Sequence, residues 1–105
     1  MHYKLTISER AESHIDNILD YVVNVLKNPG AARTIIADIE EAYSRLEYMA
    51  ESFRYCNDNY LAGRGYRKIM LSRHDYLILY RVVDDEVQIS GVFHMLENYA
   101  RKLLR

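Results

Sequence analysis

The stretch YLILYRVVDDEVQISGVFH, Tyr76 to His94, decides the fold. Two runs rich in β-branched and aromatic residues, Tyr76 to Val83 and Glu86 to Phe93, flank Asp84-Asp85, the arrangement of a two-residue β-hairpin. Pairing Val83 with Glu86 sets Val82 against Val87, Tyr80 against Ile89, Ile78 against Gly91 and Tyr76 against Phe93. One face of the hairpin is then apolar throughout. A four-residue turn over Ser72 to Asp75 brings in a preceding strand in the same register, with Leu71 beside Tyr76 and Ile69 beside Ile78. A side-chain period of two specifies register strongly wherever one face is buried, so the apolar face requires a covering layer.

That layer lies upstream. Ala11, Ile15, Ile18, Leu19, Val22, Val25 and Leu26 recur at helical spacing after Ser8, a good N-cap with Glu9 and Glu12 near the positive end of the helix dipole. Asn28-Pro29-Gly30 interrupts the pattern, and Asn28 can cap a second helix with Pro29 in its first turn. The second stripe runs through Ala32, Ile35, Ile36, Ile39, Ala42, Tyr43, Leu46 and Met49. A short connection makes the pair an antiparallel helical hairpin. Before it, Tyr3, Leu5 and Ile7 alternate with His2, Lys4 and Thr6, a half-buried strand; after it, Phe53 to Gly63 reads as a loop. The expected architecture is α+β: an N-terminal strand, a helical hairpin, then antiparallel strands forming one sheet with the helices on one face, and a short C-terminal helix.

The 105 residues suffice for a single domain, 1–105, and are too few for two cores. Half the residues are hydrophobic and one is proline, which excludes a disordered chain. Apolar runs are only a few residues long and no basic start precedes an apolar stretch, so the expectation is a cytoplasmic protein without membrane span or signal peptide. Cys56 is alone and has no metal-ligand spacing around it; neither a metal nor a cofactor is expected. Residues 1–52 carry 5 basic against 9 acidic side chains, and residues 53–105 carry 9 against 6. Arg64, Arg67, Lys68, Arg73 and Arg81 face only Asp75 in their interval, a basic patch suited to a phosphate backbone or an acidic protein segment.

The same register assigns the face away from the helices. Tyr66, Arg81 and Gln88 share a row, then Lys68, Leu79 and Ser90, then Met70, Leu77 and Val92, and finally Asp75 with His94 close to Arg73. A histidine beside a carboxylate and a guanidinium has the elements of general acid–base cleavage of a phosphodiester; a rim histidine with one hydrogen bond is the alternative. Met70, Leu77, Leu79 and Val92 give this face an apolar centre, which fits a docked protein segment or the chain's own C-terminal helix better than a scissile phosphate.

The block Y-x-I-x-Y-R-V-x-D-D-x-V from Tyr76 to Val87, followed by a strand ending Val92-Phe93-His94, resembles the RelE/ParE superfamily of bacterial type II toxins, also described as plasmid stabilisation proteins. The resemblance extends over nearly the whole chain. It implies a small toxin made with an antitoxin that wraps and silences it. It implies one of two actions: metal-independent cleavage of mRNA in the ribosomal A site, making the protein an endoribonuclease (mRNA interferase), or poisoning of DNA gyrase in the ParE branch.

Residue by residue, the nuclease pattern is depleted. Its two alternate lysines fall on Lys68 and Met70, its arginine after the first tyrosine of the central strand falls on Leu77, and its terminal pair falls on His94 and Met95, with Tyr99 further on. The nuclease reading therefore assigns His94 as acid or base, Lys68 and Arg73 to phosphate, and Tyr99 as auxiliary, with Arg64, Arg67 and Arg81 as further phosphate contacts. Met70, Leu77, Leu79 and Val92 are the expected antitoxin-binding residues. Each missing donor removes a hundredfold or more in rate, roughly, when charge develops on phosphorus. Three readings stay open: ribosome-dependent mRNA cleavage, a gyrase poison without bond-breaking chemistry, and a decayed toxin that only binds antitoxin. The tail from Glu97 to Arg105 is expected to form a short helix, basic at its end, able to cover the apolar patch or to give way there to an antitoxin.

Overall fold

The computed structural model describes residues 2–97 and Tyr99. Strand β1 (Lys4–Ile7) leads into helix α1 (Glu9–Asp20), whose N-cap Ser8 accepts a 3.0 Å hydrogen bond from the Ala11 N–H, as the sequence predicts. The helix then widens into a π-helical turn over Tyr21–Val25, in which the Leu26 N–H reaches back five residues to the Tyr21 carbonyl. This turn corrects the apolar stripe: Val22 stays buried, but Val25 and Leu26 are solvent-exposed. One extra residue in a helical turn rotates everything beyond it by about 100° off the core face. Lys27, at φ 54°, ends the segment. Asn28 caps helix α2 (Pro29–Met49) by accepting from the Ala31 N–H, with Pro29 in the first turn. Ile36 and Met49, expected in the stripe of α2, are exposed.

Four strands form one sheet in the order β1-β4-β3-β2, with β2 at Tyr66–Met70, β3 at Tyr76–Val83 and β4 at Glu86–His94. The β2–β3 and β3–β4 pairs are antiparallel, whereas β1 runs parallel to β4 because α1 returns the chain along that edge. The β2–β3 register is the expected one, Tyr66 opposite Arg81 through Met70 opposite Leu77. The Asp84-Asp85 turn is also in place, with Asp84 at φ 56° supplying the left-handed residue that such a turn needs.

The β3–β4 register holds only from the turn to Tyr80 opposite Ile89. There Leu79 pairs with Gly91, so Ser90 is an extra residue on β4, a β-bulge. Every side chain beyond it changes face relative to a straight ladder. Val92, expected on the outer face, packs in the main core with Ile78, Tyr80 and Ile89 under the α2 residues Ile35, Ile39 and Leu46. Phe93 swings to the opposite side, and His94 comes opposite Tyr76 instead of Asp75. Gly91 makes this possible: a Cβ there would lie 2.6 Å from the Phe93 ring and 3.1 Å from His14 Nδ1. Along the open edge of β4 past β1, α1 supplies the missing partner, with the Val92 N–H donating to His14 Nδ1 at 3.2 Å.

The outer face carries a second, smaller core. A 3₁₀ turn (Ala50–Ser52) follows α2, and the segment expected as a plain loop, Phe53 to Gly63, contains a short helix α3 (Asn59–Gly63) capped by Asp58. Leu61 and Cys56 from this segment cover Leu77, Leu79 and Phe93, with Tyr66 and Tyr99 at the margin. Leu77 and Leu79 are therefore buried, at 2% and 0% exposure, and do not form the open patch that the row assignment implies. The physical reason is burial: each leucine shielded from water stabilises the fold by roughly 1.5–3 kcal/mol. Of the expected tail helix, Asn98, Ala100, Arg101, Lys102, Leu103, Leu104 and Arg105 lie outside the described residues.

Candidate functional site

The sequence-predicted site residues do not converge. His94 lies on the helix side of the sheet, its ring edge-on to Tyr76 with centroids 5.3 Å apart, and its Nδ1 accepts from the Leu96 N–H at 3.2 Å. Its backbone N–H donates to Glu97 Oε1 at 3.0 Å. Lys68 pairs with Leu79, whose side chain belongs to the outer cluster, so its own side chain projects from the same outer face, away from His94. Three rows and two strands separate the two residues, about 14 Å between Cα atoms from strand geometry. An acid or base must come within about 2.6–3.2 Å of the proton it moves, so one scissile phosphate does not bridge these groups.

Arg73 sits in the β2–β3 turn, exposed, beside a depression of about 360 Å³ that also presents Asp38 and Glu41. Two carboxylates make that depression unsuited to an anion. Tyr99 stacks obliquely on Phe93 at 6.1 Å, and its hydroxyl pKa is raised by burial, with Cys56 and Asp58 adding to the effect. It closes the outer cluster and lies on the face opposite His94. Of the four residues expected to bind antitoxin, only Met70, 40% exposed, presents an open surface.

The three arginines expected on phosphate are each stacked on a tyrosine. Arg64 lies 4.5 Å from the Tyr60 ring centre, Arg67 3.9 Å from Tyr55 and Arg81 5.1 Å from Tyr66. Arg67 is a structural staple: Nη1 donates to the Glu51 and Phe53 carbonyls at 3.1 and 2.7 Å, and Nη2 to the Tyr55 hydroxyl at 2.7 Å. Nη1 and Nη2 thus tie residues 51–55 to β2, a structural role beside the phosphate contact expected of this arginine. Arg81 makes only a long 3.5 Å contact to Gln88, and Arg64 is exposed.

Asp38 was not singled out by the sequence. Its buried carboxylate accepts from the backbone N–H groups of Ser72, Arg73 and His74 at 3.1, 2.9 and 3.0 Å, anchoring the β2–β3 turn to α2. The available signal was an acid placed within the apolar stripe, between Ile35 and Ile39. A groove of about 320 Å³ lies along the edge of β2, between Arg45, Phe53, Arg54, Lys68 and Met70.

A four-stranded sheet under a helical hairpin, with basic side chains gathered on β2 and its flanks, defines the class of small RelE/ParE-type toxins. The family model described as ParE toxin of type II toxin-antitoxin system, parDE, matches residues 5–99, and the chain belongs to that family. Among solved structures it is similar to one described as the chromosomal ParDE TA system from P. aeruginosa, with a TM-score of 0.73 and 26% identity over 89% of this chain and 96% of that one. Comparison with curated proteins gives no match. No described helix is long and apolar enough to cross a membrane.

Proposed function

We propose that this ParE-family toxin arrests growth by docking on DNA gyrase, without cutting RNA, and that a cognate antitoxin holds it silent in the cytoplasm. The observation that carries the reading is the β-bulge at Ser90. It turns His94 to the helix side of the sheet while Lys68 stays on the other, so the groups needed to deprotonate a ribose hydroxyl and to neutralise its phosphate are on opposite sides. Met70 and Leu77 stand where the nuclease pattern has cations, which supports the same conclusion. Ribosome-dependent mRNA cleavage, the action that the His94 constellation suggested in the sequence, requires a convergence absent from this geometry.

The test is a supercoiling assay with purified DNA gyrase and relaxed plasmid, with the toxin added at a few-fold molar excess. Loss of supercoiling, with linear DNA released after protease treatment, is the expected result. Full supercoiling at tenfold excess overturns the gyrase reading.

A further inference from the structure

We propose that the end of β4 is an acid-sensitive latch, in which His14 and His94 hold residues 92–97 in place at neutral pH and release them when their imidazole rings take up a second proton. The proposal goes beyond the gyrase reading and does not depend on it.

The backbone of this stretch ends on titratable side chains at three places. The Val92 N–H donates to His14 Nδ1 at 3.2 Å, the His94 N–H to Glu97 Oε1 at 3.0 Å, and the Leu96 N–H to His94 Nδ1 at 3.2 Å. Backbone carbonyls of Asp75 and His94 take the Met95 and Glu97 N–H groups, each at 2.9 Å. A backbone amide only donates, so each Nδ1 presents its lone pair and each neutral ring carries its proton on Nε2. An imidazolium bears a proton on both nitrogens and accepts nothing. Protonation therefore sets a donor against a donor at Val92 and again at Leu96.

The surroundings couple the two rings. His14 is half-buried on α1, its ring 4.7 Å from that of Phe93, and a Cβ at Gly91 would lie 3.1 Å from its Nδ1. A depression of about 220 Å³ between His14, Asn17, Ile18, Val92, Phe93 and Glu97 gives water access to the ring. Glu97 is the acid that lines this depression, Arg10 stands one turn earlier on α1, and the acids of that helix, Glu9, Glu12, Asp16 and Asp20, are solvent-exposed. Around His94 stand the Tyr76 ring at 5.3 Å and, within electrostatic reach of Tyr76, Glu97, Asp75 and the Tyr21 hydroxyl. Glu97 thus serves both histidines. A charged His14 draws its carboxylate away from the His94 N–H, so opening one contact weakens the next. Release frees Phe93 from the outer cluster that it forms with Leu77 and Leu79, and acid loosens that cluster from its C-terminal end.

The test is an NMR titration of the ¹³C,¹⁵N-labelled full chain from pH 8 to pH 5, the range in which imidazole ordinarily changes charge. At pH 8 the ring-nitrogen shifts should place the proton on Nε2 of both histidines. As the rings charge, the exchange protection factor of the Val92 amide should fall at least tenfold and the Leu96 amide signal should move with the His94 ring. The hairpin amides between Tyr80 and Ile89 should keep their protection. Asparagine offers an amide oxygen near the position of Nδ1 and does not titrate, so His14→Asn should keep Val92 protected down to pH 5 and His94→Asn should hold the Leu96 signal still. A proton on Nδ1 of either ring at pH 8, a ring still neutral at pH 5, or protection of Val92 that persists once His14 is charged overturns the proposal. So does an acid-induced loss that survives in the His14→Asn/His94→Asn variant, which would assign it to Asp75 or Glu97. If the asparagine variants do not fold, the ring and amide signals of the parent chain decide alone.

Discussion

Tyr76 and His94 face each other across the last row of the β3–β4 hairpin, their rings nearly perpendicular at 86° and 5.3 Å apart. Without the bulge at Ser90, Tyr76 would lie opposite Phe93 and His94 would stand at the end of the outer face with Lys68. The one-residue insertion therefore removes the histidine from the basic side of the sheet and completes two cores at once, Val92 in one and Phe93 in the other.

Gly91 is required by this arrangement. An alanine there drives its Cβ to 2.6 and 2.9 Å from two Phe93 ring atoms. Gly91→Ala is expected to cost roughly 1–3 kcal/mol through forced repacking. Urea denaturation of the two proteins checks it; an unchanged midpoint would mean that the ring moves freely.

Asp38 holds the β2–β3 turn through three backbone donors. Asp38→Ala leaves these N–H groups without their charged acceptor and should destabilise the protein by about 2–4 kcal/mol. Amide exchange at Ser72, Arg73 and His74 should accelerate well beyond that of the β4 amides. Uniform acceleration across the chain would show only global destabilisation.

The Tyr80 hydroxyl donates to the Ala50 carbonyl at 2.6 Å inside the core. Tyr80→Phe conserves the ring but strands that carbonyl, at a cost of roughly 1–3 kcal/mol. Thermal denaturation reads the effect, and Tyr80→Phe as stable as the parent would contradict it.

Burial pushes the Cys56 thiol up to about 11 from its ordinary 9.0, although nearby Lys68 opposes the shift, and burial likewise pushes the Tyr43 hydroxyl from 10.0 to about 12. Between the unfolded and folded values the native state retains protons that the unfolded state has lost, so stability falls as pH rises. The urea midpoint should drop from about pH 9 upward, and the drop should be shallower in Cys56→Ala between pH 9 and 11. At pH 8 the native thiol should resist iodoacetamide and react once urea is added. Rapid alkylation of the folded protein would place Cys56 outside the outer core.

The helices, their caps at Ser8 and Asn28, the Asp84-Asp85 turn and the β2–β3 register were legible because each rests on a local rule with a clear residue signature. Three features were not. The π-helical turn at Tyr21–Val25 leaves the sequence looking like an uninterrupted helix. The bulge has no local mark except Gly91, whose need emerges only when the Phe93 ring is placed over it. The cover over Leu77 and Leu79 comes from Cys56 and Leu61, residues that read as loop. The candidate site departs from expectation at the same points: a straight ladder past Ser90 places His94 on the outer face, and nothing local in the sequence marks the carbonyl partners of Arg67, which lie 14 and 16 residues away.

The most direct test of the central claim, toxicity without RNA cleavage, is primer extension on a defined mRNA in a purified translation reaction with and without the toxin, repeated with His94→Ala. The account predicts intact mRNA in every lane. New ends that require the ribosome and disappear in His94→Ala would contradict it, because they would require His94 to act on a phosphate from the helix side of the sheet.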